Sequence, residues 1–253
     1  MDMAPSIISP KAQGGNDMRF TDKLWAETAD LQQRILCMPF NAELAQGTLP
    51  KDTFQGYIIQ DAHFLEGFAR ALALAASRAP NPDTVAKLAG SASGAIAVER
   101  LLHGQYMQTF GISQSQFQQT PPSSACDHYI CSLLASAAVD PFPVAVVSLL
   151  PCFWIYHRVG VHIHGNAASD HPYQAWIDTY ASEEFEASVD AMLELTDDLA
   201  EAANPSVQAR MRSAFARSTA HEWEFWHSAY EQQTWPRVFA EANEIAERAR
   251  VIQ

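Results

Sequence analysis

Apolar residues recur along most of this chain at the spacing of amphipathic helices. The segment FTDKLWAETADLQQRIL is the first example, and its apolar positions keep a period near 3.6 residues: Phe20, Leu24, Leu31 and Ile35. Thr21 is the expected N-cap of this helix. No segment alternates apolar and polar residues over four or more positions between turn signals, as a half-buried strand would. The pattern predicts an all-α protein.

Further helical patterns follow one another with short connections. Together they predict a bundle of roughly eight helices in one domain. A polar loop is expected at GISQSQFQQTPPSS, and a break at DPFP. The first residues are rich in Pro, Gly and Ser and lack the basic and apolar regions of a secretory signal. We therefore expect a disordered leader over residues 1–18 and an all-helical domain over residues 19–253.

Charge and composition exclude some classes of function. With 16 basic and 29 acidic residues the net charge is −13, which argues against binding a nucleic-acid backbone. The longest uncharged apolar stretch, Pro141 to Tyr156, has 16 residues. A membrane helix needs about 18 or more, so we expect a buried core helix and no membrane span. The four cysteines show no CxxC spacing and are expected as free thiols in a reducing cytoplasm.

One carboxylate stands on an otherwise apolar helix face. Asp61 follows Tyr57 by four residues and precedes Phe68 by seven, so the three side chains share one side of a helix. Burying a carboxylate is costly unless it is paired. A buried ion pair with Arg70 or Arg158 is one explanation, and a ligand-binding role is another.

A cysteine lies in the most apolar part of the chain, SLLPCFWIYHRVG. Cys152 and Tyr156 stand four residues apart and share a helix face. A lone buried cysteine is commonly an inert core residue, but a reactive thiol is also possible here. Carboxylates and aromatic residues on other predicted helices, such as HEWEFWHSAY with Glu222 and WIDTYASEEF with Tyr180, could converge with it. A thiol, an acid and aromatic walls suit covalent addition to a flat, electron-poor ring.

Metal-ligand spacings are present but incomplete. Glu224 and His227 form an E-x-x-H pair, which supplies two ligands from one helix in di-iron carboxylate bundles. Such sites need two of these helices and two further carboxylates, and the pair occurs once. Glu99 and His103, four residues apart, could bind a metal or form an ordinary hydrogen bond. His162 and His164 face two different ways on a helix and would form a poor chelate. No metal site is predicted.

Four blocks of the sequence together resemble the TenA proteins, also called thiaminase II or aminopyrimidine aminohydrolase: YIIQDAHFLEGFARALALAASRA, SLLPCFWIYHRVG, YQAWIDTYASEEF and HEWEFWHSAY. They occur in the order found in that family and span most of the chain. The resemblance implies an all-helical, haem-oxygenase-like fold without haem. It also implies a homotetramer, located in the cytoplasm, that needs no cofactor.

The resemblance implies a role for each matched residue. Cys152 would be the nucleophile that adds to a pyrimidine ring, which places the chain in the cysteine-containing branch. Glu222 would be the acid that protonates the ring or the leaving group. Asp61 would hydrogen-bond the ring nitrogen and the exocyclic amine. Tyr156 and Tyr180 would position the thiol, the acid and the attacking water.

Aromatic walls complete the implied pocket. Tyr129 and Phe225 would pack against the substrate ring. Phe64 stands where many family members carry tyrosine, so the wall is kept and a hydroxyl is lost. A pocket without that donor discriminates differently between substrates.

The implied activity replaces an amine on a pyrimidine's methyl group by water, giving hydroxymethylpyrimidine in thiamin salvage. The substrate would be 4-amino-5-aminomethyl-2-methylpyrimidine, a formylated precursor or thiamin. Two alternatives stay open. One is a metal-dependent oxygenase, or a cofactorless oxidase similar to the PqqC proteins. The other is a non-catalytic pyrimidine-binding or regulatory protein, although a degenerate pocket would not need to keep five candidate catalytic residues.

Overall fold

The computed structural model of the protein describes residues 18–166, 171–236 and 239, apart from a few side chains within these ranges. Its regular elements within these ranges are all helical, which confirms the predicted all-α class. All but the last residue of the predicted leader, and residues 237–238 and 240–253 of the predicted all-helical domain, lie outside the described residues. The helices are α1 Phe20–Glu27, α2 Ala29–Cys37, α3 Pro39–Gln46, α4 Lys51–Ser77, α5 Pro82–Val98, α6 Gly104–Phe110, α7 Gln114–Gln119, α8 Ser124–Val139, α9 Phe142–His164, α10 Gln174–Tyr180, α11 Glu183–Glu201 and α12 Pro205–Tyr230, with a π-helical turn at Glu99–His103 between α5 and α6.

The helical segments outnumber the eight expected, because predicted long helices break and the polar loop contains α7. The first break falls at Thr28, whose hydroxyl donates to the Leu24 carbonyl at 2.9 Å and accepts from Gln32 at 2.6 Å. The expectation that Thr21 is an N-cap is wrong. Thr21 lies inside α1, and its backbone N–H and its hydroxyl both donate to Asp197 of α11.

Helix α9 runs through the centre of the bundle and packs against α8, α10, α11 and α12. It is long and apolar enough to cross a membrane, but 89% of its most apolar window is buried inside the protein. The expectation of a buried core helix is therefore confirmed, although the helix extends beyond the predicted stretch to His164. Pro151 removes one backbone donor from this helix directly before Cys152.

Helices α4 and α8 pack closely at a glycine. A Cβ atom added to Gly67 would lie 2.6 Å from the Ile130 Cγ2 atom, closer than packed carbons can approach. The missing side chain at Gly67 therefore allows Phe64 of α4 and Tyr129 of α8 to meet, with ring centroids 4.8 Å apart. These two helices, with α9, α10 and α12, carry all of the candidate site residues.

Candidate active site

The structure buries every site residue predicted from the sequence in one connected core. The most exposed of them is Cys152, at 7%. The others are 4% exposed or less: Asp61, Phe64, Tyr129, Tyr156, Tyr180, Glu222 and Phe225. They come from five different helices, α4, α8, α9, α10 and α12, so the bundle itself assembles the site.

Glu222 is the fully buried carboxyl group of this cluster. Its Oε1 atom accepts a 2.7 Å hydrogen bond from the Tyr129 hydroxyl. Its Oε2 atom is buried and has no hydrogen-bond partner among the described residues. Burial raises the pKa of Glu222 to about 8; the charge of Asp61 adds to the rise and the Tyr129 hydrogen bond opposes it. At neutral pH Glu222 is therefore largely protonated and can act as an acid.

Cys152 lies within the electrostatic influence of both carboxyl groups. Burial raises the pKa of its thiol well above the ordinary value, and the charges of Glu222 and Asp61 raise it further. The resting residue is therefore a thiol and not a thiolate. Because the thiolate is the nucleophilic form, the proton must leave Cys152 as the sulfur attacks.

The two arginines considered as partners of Asp61 make contacts elsewhere. Arg70 is exposed and pairs with Glu66 on its own helix, at 3.9 Å. The guanidinium group of Arg158 lies over the Trp25 ring. Asp61 is 1% exposed, and its Oδ1 atom lies 3.5 Å from the Tyr156 hydroxyl. The Tyr156 hydroxyl is therefore one neighbour of the Asp61 carboxyl group.

Two further residues belong to this network, and sequence reasoning did not assign them to the site. The Tyr57 hydroxyl accepts a 3.1 Å hydrogen bond from the Trp176 indole and also bonds the Tyr156 hydroxyl. Burial raises the pKa of Tyr57 well above 10, so the phenol stays neutral. Its place four residues before Asp61 was the available signal. The signal for Trp176 was its place four residues before Tyr180, although only the fold brings it to Tyr57 of α4.

The aromatic walls are built around Tyr129. Its ring lies between Phe64, at a centroid distance of 4.8 Å, and His221, at 5.0 Å and nearly parallel. Phe64 also packs on Phe225, at 5.4 Å. The Tyr129 ring thus packs between these two rings, and its hydroxyl is in addition the hydrogen-bond donor to Glu222.

Tyr180 comes to the site from the end of α10. Its ring centroid lies 5.0 Å from that of Tyr156 and 4.7 Å from that of Trp176. Burial raises the pKa of Tyr180 well above 10, and so do the charges of Asp61, Cys152 and Glu222. Tyr156 and Tyr180 therefore present neutral hydroxyl groups to the thiol and the two carboxyl groups.

No group of three or more His, Cys, Asp or Glu side chains in the described part of the chain is arranged to hold a metal ion. Glu224 of the E-x-x-H pair is exposed, and the His227 ring stacks on Trp223 at 4.6 Å. The side chain of His103 lies outside the described set.

The site residues lie inside the bundle, and the most exposed of them, Cys152, is 7% exposed. Two surface grooves, of about 500 and 450 Å³, lie elsewhere and are lined by none of the site residues. The first lies between α4 and α5, and the second between α2, α3 and the end of α12.

The profile of the TENA/THI-4/PQQC family matches residues 25–232. The chain belongs to this family. It is 30% identical over 219 residues to the aminopyrimidine aminohydrolase of Bacillus subtilis, covering 86% of this chain and 92% of that protein. The structure of a TenA homologue from P. horikoshii OT3 superposes with a TM-score of 0.77 at 28% identity, over 85% of this chain and 99% of that one.

The fold comparison extends beyond TenA proteins. A Shewanella denitrificans domain with a heme oxygenase-like fold superposes with a TM-score of 0.67 at 14% identity, over 84% of this chain and 92% of that domain. The family resemblance seen in the four sequence blocks and the predicted haem-oxygenase-like fold are both confirmed.

Proposed function

We propose that this protein hydrolyses a C–N bond of an aminopyrimidine, with 4-amino-5-aminomethyl-2-methylpyrimidine as substrate and thiamin as a possible second one. The observation that carries the proposal is a buried thiol, Cys152, beside a carboxyl group, Glu222, that stays protonated at neutral pH. The name of the Bacillus subtilis relative, an aminopyrimidine aminohydrolase, supports the same reaction.

The first step adds the thiol to the ring. The Cys152 sulfur forms a bond to a ring carbon, and the adjacent ring nitrogen gains a proton, so that the elements of the thiol add across one C=N bond. A pyrimidine accepts a nucleophile only when its nitrogen is protonated, and Glu222 is the group that holds a proton at neutral pH. The thiol proton passes to the Glu222 carboxylate that this transfer leaves.

The second step exchanges the amine for water. The electron-rich adduct breaks its exocyclic C–N bond, and the nitrogen leaves as ammonia with a proton from Glu222. Water then adds its oxygen to the exocyclic carbon and gives a proton back. Breaking of the C–S bond restores the Cys152 thiol and the aromatic ring. In the net reaction, the amine and water give the alcohol and ammonia. Side chains and water make all of the proton transfers.

Recognition of the ring follows from the polarity of the site. Asp61 accepts hydrogen bonds from the exocyclic amine and a protonated ring nitrogen, in a core whose other groups are neutral. Tyr129, Phe64 and Phe225 enclose the ring with aromatic surface. The Glu222 Oε2 atom, which has no partner among the described residues, is the oxygen available to the substrate.

The wider setting belongs to the same proposal. We place the enzyme in thiamin salvage in the cytoplasm, as a homotetramer whose leader over residues 1–18 precedes a catalytic domain over residues 19–253. Four free cysteines in the described residues agree with a reducing compartment. Sedimentation of the full chain tests the tetramer.

The activity is tested by measuring ammonia release from 4-amino-5-aminomethyl-2-methylpyrimidine beside thiazole release from thiamin, with the purified full chain. We expect ammonia release, accompanied by equal amounts of hydroxymethylpyrimidine. Release of neither ammonia nor thiazole would overturn the proposed function.

A further inference from the structure

Tyr180 reaches the site from a short helix whose placement needs an explanation. Helix α10 has seven residues, and Tyr180 is its last. A helix of this length has little stability of its own, so contacts with the rest of the bundle decide where its end lies. The contacts of the Tyr180 backbone are made by α9, the helix that carries Cys152.

The first contact is a close approach at Gly160 of α9. A Cβ atom added to Gly160 would lie 2.7 Å from both the carbonyl carbon and the Cβ atom of Tyr180, and 2.9 Å from its carbonyl oxygen. These are atoms of the main chain and its first side-chain carbon, which cannot rotate away. Any larger residue at position 160 must therefore push the end of α10 away from α9.

The second contact is a hydrogen bond at the same place. The His157 Nδ1 atom lies 3.1 Å from the Tyr180 carbonyl oxygen, and a proton on Nδ1 donates to that oxygen. Carbonyl groups at the end of a helix lack intrahelical donors, so His157 satisfies one that α10 leaves open. His157 and Gly160 are three residues apart and occupy one face of α9.

We infer that Gly160 and His157 are positioning residues, which hold the Tyr180 ring against the ring of Tyr156. One turn of α9 thus carries Cys152 and Tyr156. The following turn carries His157 and Gly160, which fix the distance between α9 and the end of α10. The inference rests on the proposed function, because it assigns these residues to the same reaction. Neither residue touches the substrate in this account.

The first test compares two glycine-to-alanine variants. Gly160→Ala should lower kcat by about 100-fold with a smaller change in KM, since a displacement of about 1 Å in a catalytic group costs that much. Gly94→Ala is the matched control, because Gly94 is also helical and a Cβ there meets nothing within 4 Å. We expect wild-type kcat for Gly94→Ala. A folded Gly160→Ala protein with wild-type kcat would overturn the inference.

A double-variant cycle separates positioning from a general loss of structure. If Gly160 acts through Tyr180, Gly160→Ala should cause little further loss of kcat in a Tyr180→Phe background. Independent, multiplicative losses would show that Gly160 acts by another route and would contradict the inference.

His157 keeps the inference testable if Gly160→Ala does not fold. His157→Phe retains a ring and removes the donor, so kcat should fall; His157→Asn retains an amide donor and should recover part of the loss. Equal activity of His157→Phe and wild type would overturn the role of the hydrogen bond. All of these comparisons require an active wild-type enzyme, so failure of the proposed function shows separately, as no turnover by any of the proteins.

Discussion

The ionisation of Glu222 is the residue-scale property on which the proposed chemistry depends. The acid form must be present in the free enzyme for the ring to be protonated. Because burial raises its pKa to about 8, we expect kcat/KM to be level near neutral pH and to fall tenfold per unit as the pH rises above about 8. Initial rates of ammonia release between pH 6 and about 10 would measure this. If kcat/KM instead fell with a midpoint near the ordinary pKa of a glutamic acid, Glu222 would not be the acid with the raised pKa.

The same raised pKa means that burying Glu222 lowers the free energy of unfolding of the protein. Between pH 4.5 and about 8 the folded protein keeps a proton that the unfolded chain has lost, so stability falls as the pH rises through this range. Glu222→Gln cannot ionise, and it should raise the free energy of unfolding at pH 8 by about 2–4 kcal/mol, at about 1.4 kcal/mol per pKa unit less the cost of an amide in a carboxyl site.

Urea unfolding of wild type and Glu222→Gln at pH 5 and pH 8 tests this expectation. The two proteins should be of similar stability at the lower pH and diverge at the higher one. A constant difference between them would show that Glu222 does not titrate in this range.

At the residue scale the sequence indicated which side chains could react, but it did not show which side chains they contact. Cys152, Asp61 and Glu222 could be named from their motifs, and the structure places all three in one buried cluster. The hydrogen bond from Tyr129 to Glu222 could not be predicted, because it joins residues 93 positions apart on two helices. The contacts of Asp61 could not be predicted for the same reason: pairing depends on which helices face each other.

At the scale of elements, close helix packing decides whether the walls meet. Gly67→Ala would force a Cβ against the branched Ile130 side chain, and we expect a loss of about 1–3 kcal/mol from overpacking. Gly90→Ala is the control: a Cβ there meets nothing within 4 Å, and replacing a helical glycine should add about 0.5–1 kcal/mol.

Chemical denaturation of the two variants measures the difference, and a second substitution, Ile130→Ala, should recover much of the loss caused by Gly67→Ala. Equal stabilisation by Gly67→Ala and Gly90→Ala would show that α4 and α8 are not held at this distance.

Periodicity predicted where the helices are and not where they break. The hydrophobic pattern runs through Thr28 without interruption, whereas the structure ends α1 there and begins α2 one residue later. The hydrogen bonds of the Thr28 side chain are local, but they compete with a helical pattern that is equally local. Tertiary contacts decide between them, and these are not visible in one sequence. The same limit applies to Thr21, which binds Asp197 instead of capping α1.

At the scale of the whole molecule, the buried site couples ligand binding to stability. Because Asp61 lies inside the bundle, a bound pyrimidine should stabilise the folded state, by about 2.7 kcal/mol at a concentration 100 times Kd. We expect hydroxymethylpyrimidine to raise the melting temperature of wild type and not that of Asp61→Asn, whose amide is a poor acceptor for the ring's donors. A melting temperature raised equally in both proteins would remove Asp61 from ring recognition.

The site is assembled from five helices, so the sequence could indicate its residues but could not show that they lie together. The thiol and carboxyl groups each carry a local motif, but their closeness is a property of the bundle. The proposed reaction requires that Cys152 is the group that bonds to the pyrimidine ring.

The most direct measurement is therefore ammonia release by Cys152→Ala, with Cys126→Ala as the control. Cys126 is a second buried thiol with a raised pKa, but it donates to the Gln60 carbonyl and carries no role in the reaction. The account predicts no turnover by Cys152→Ala, at unchanged stability, and near wild-type turnover by Cys126→Ala. Wild-type turnover by Cys152→Ala would show that the thiol does not form the covalent bond, and would contradict the account.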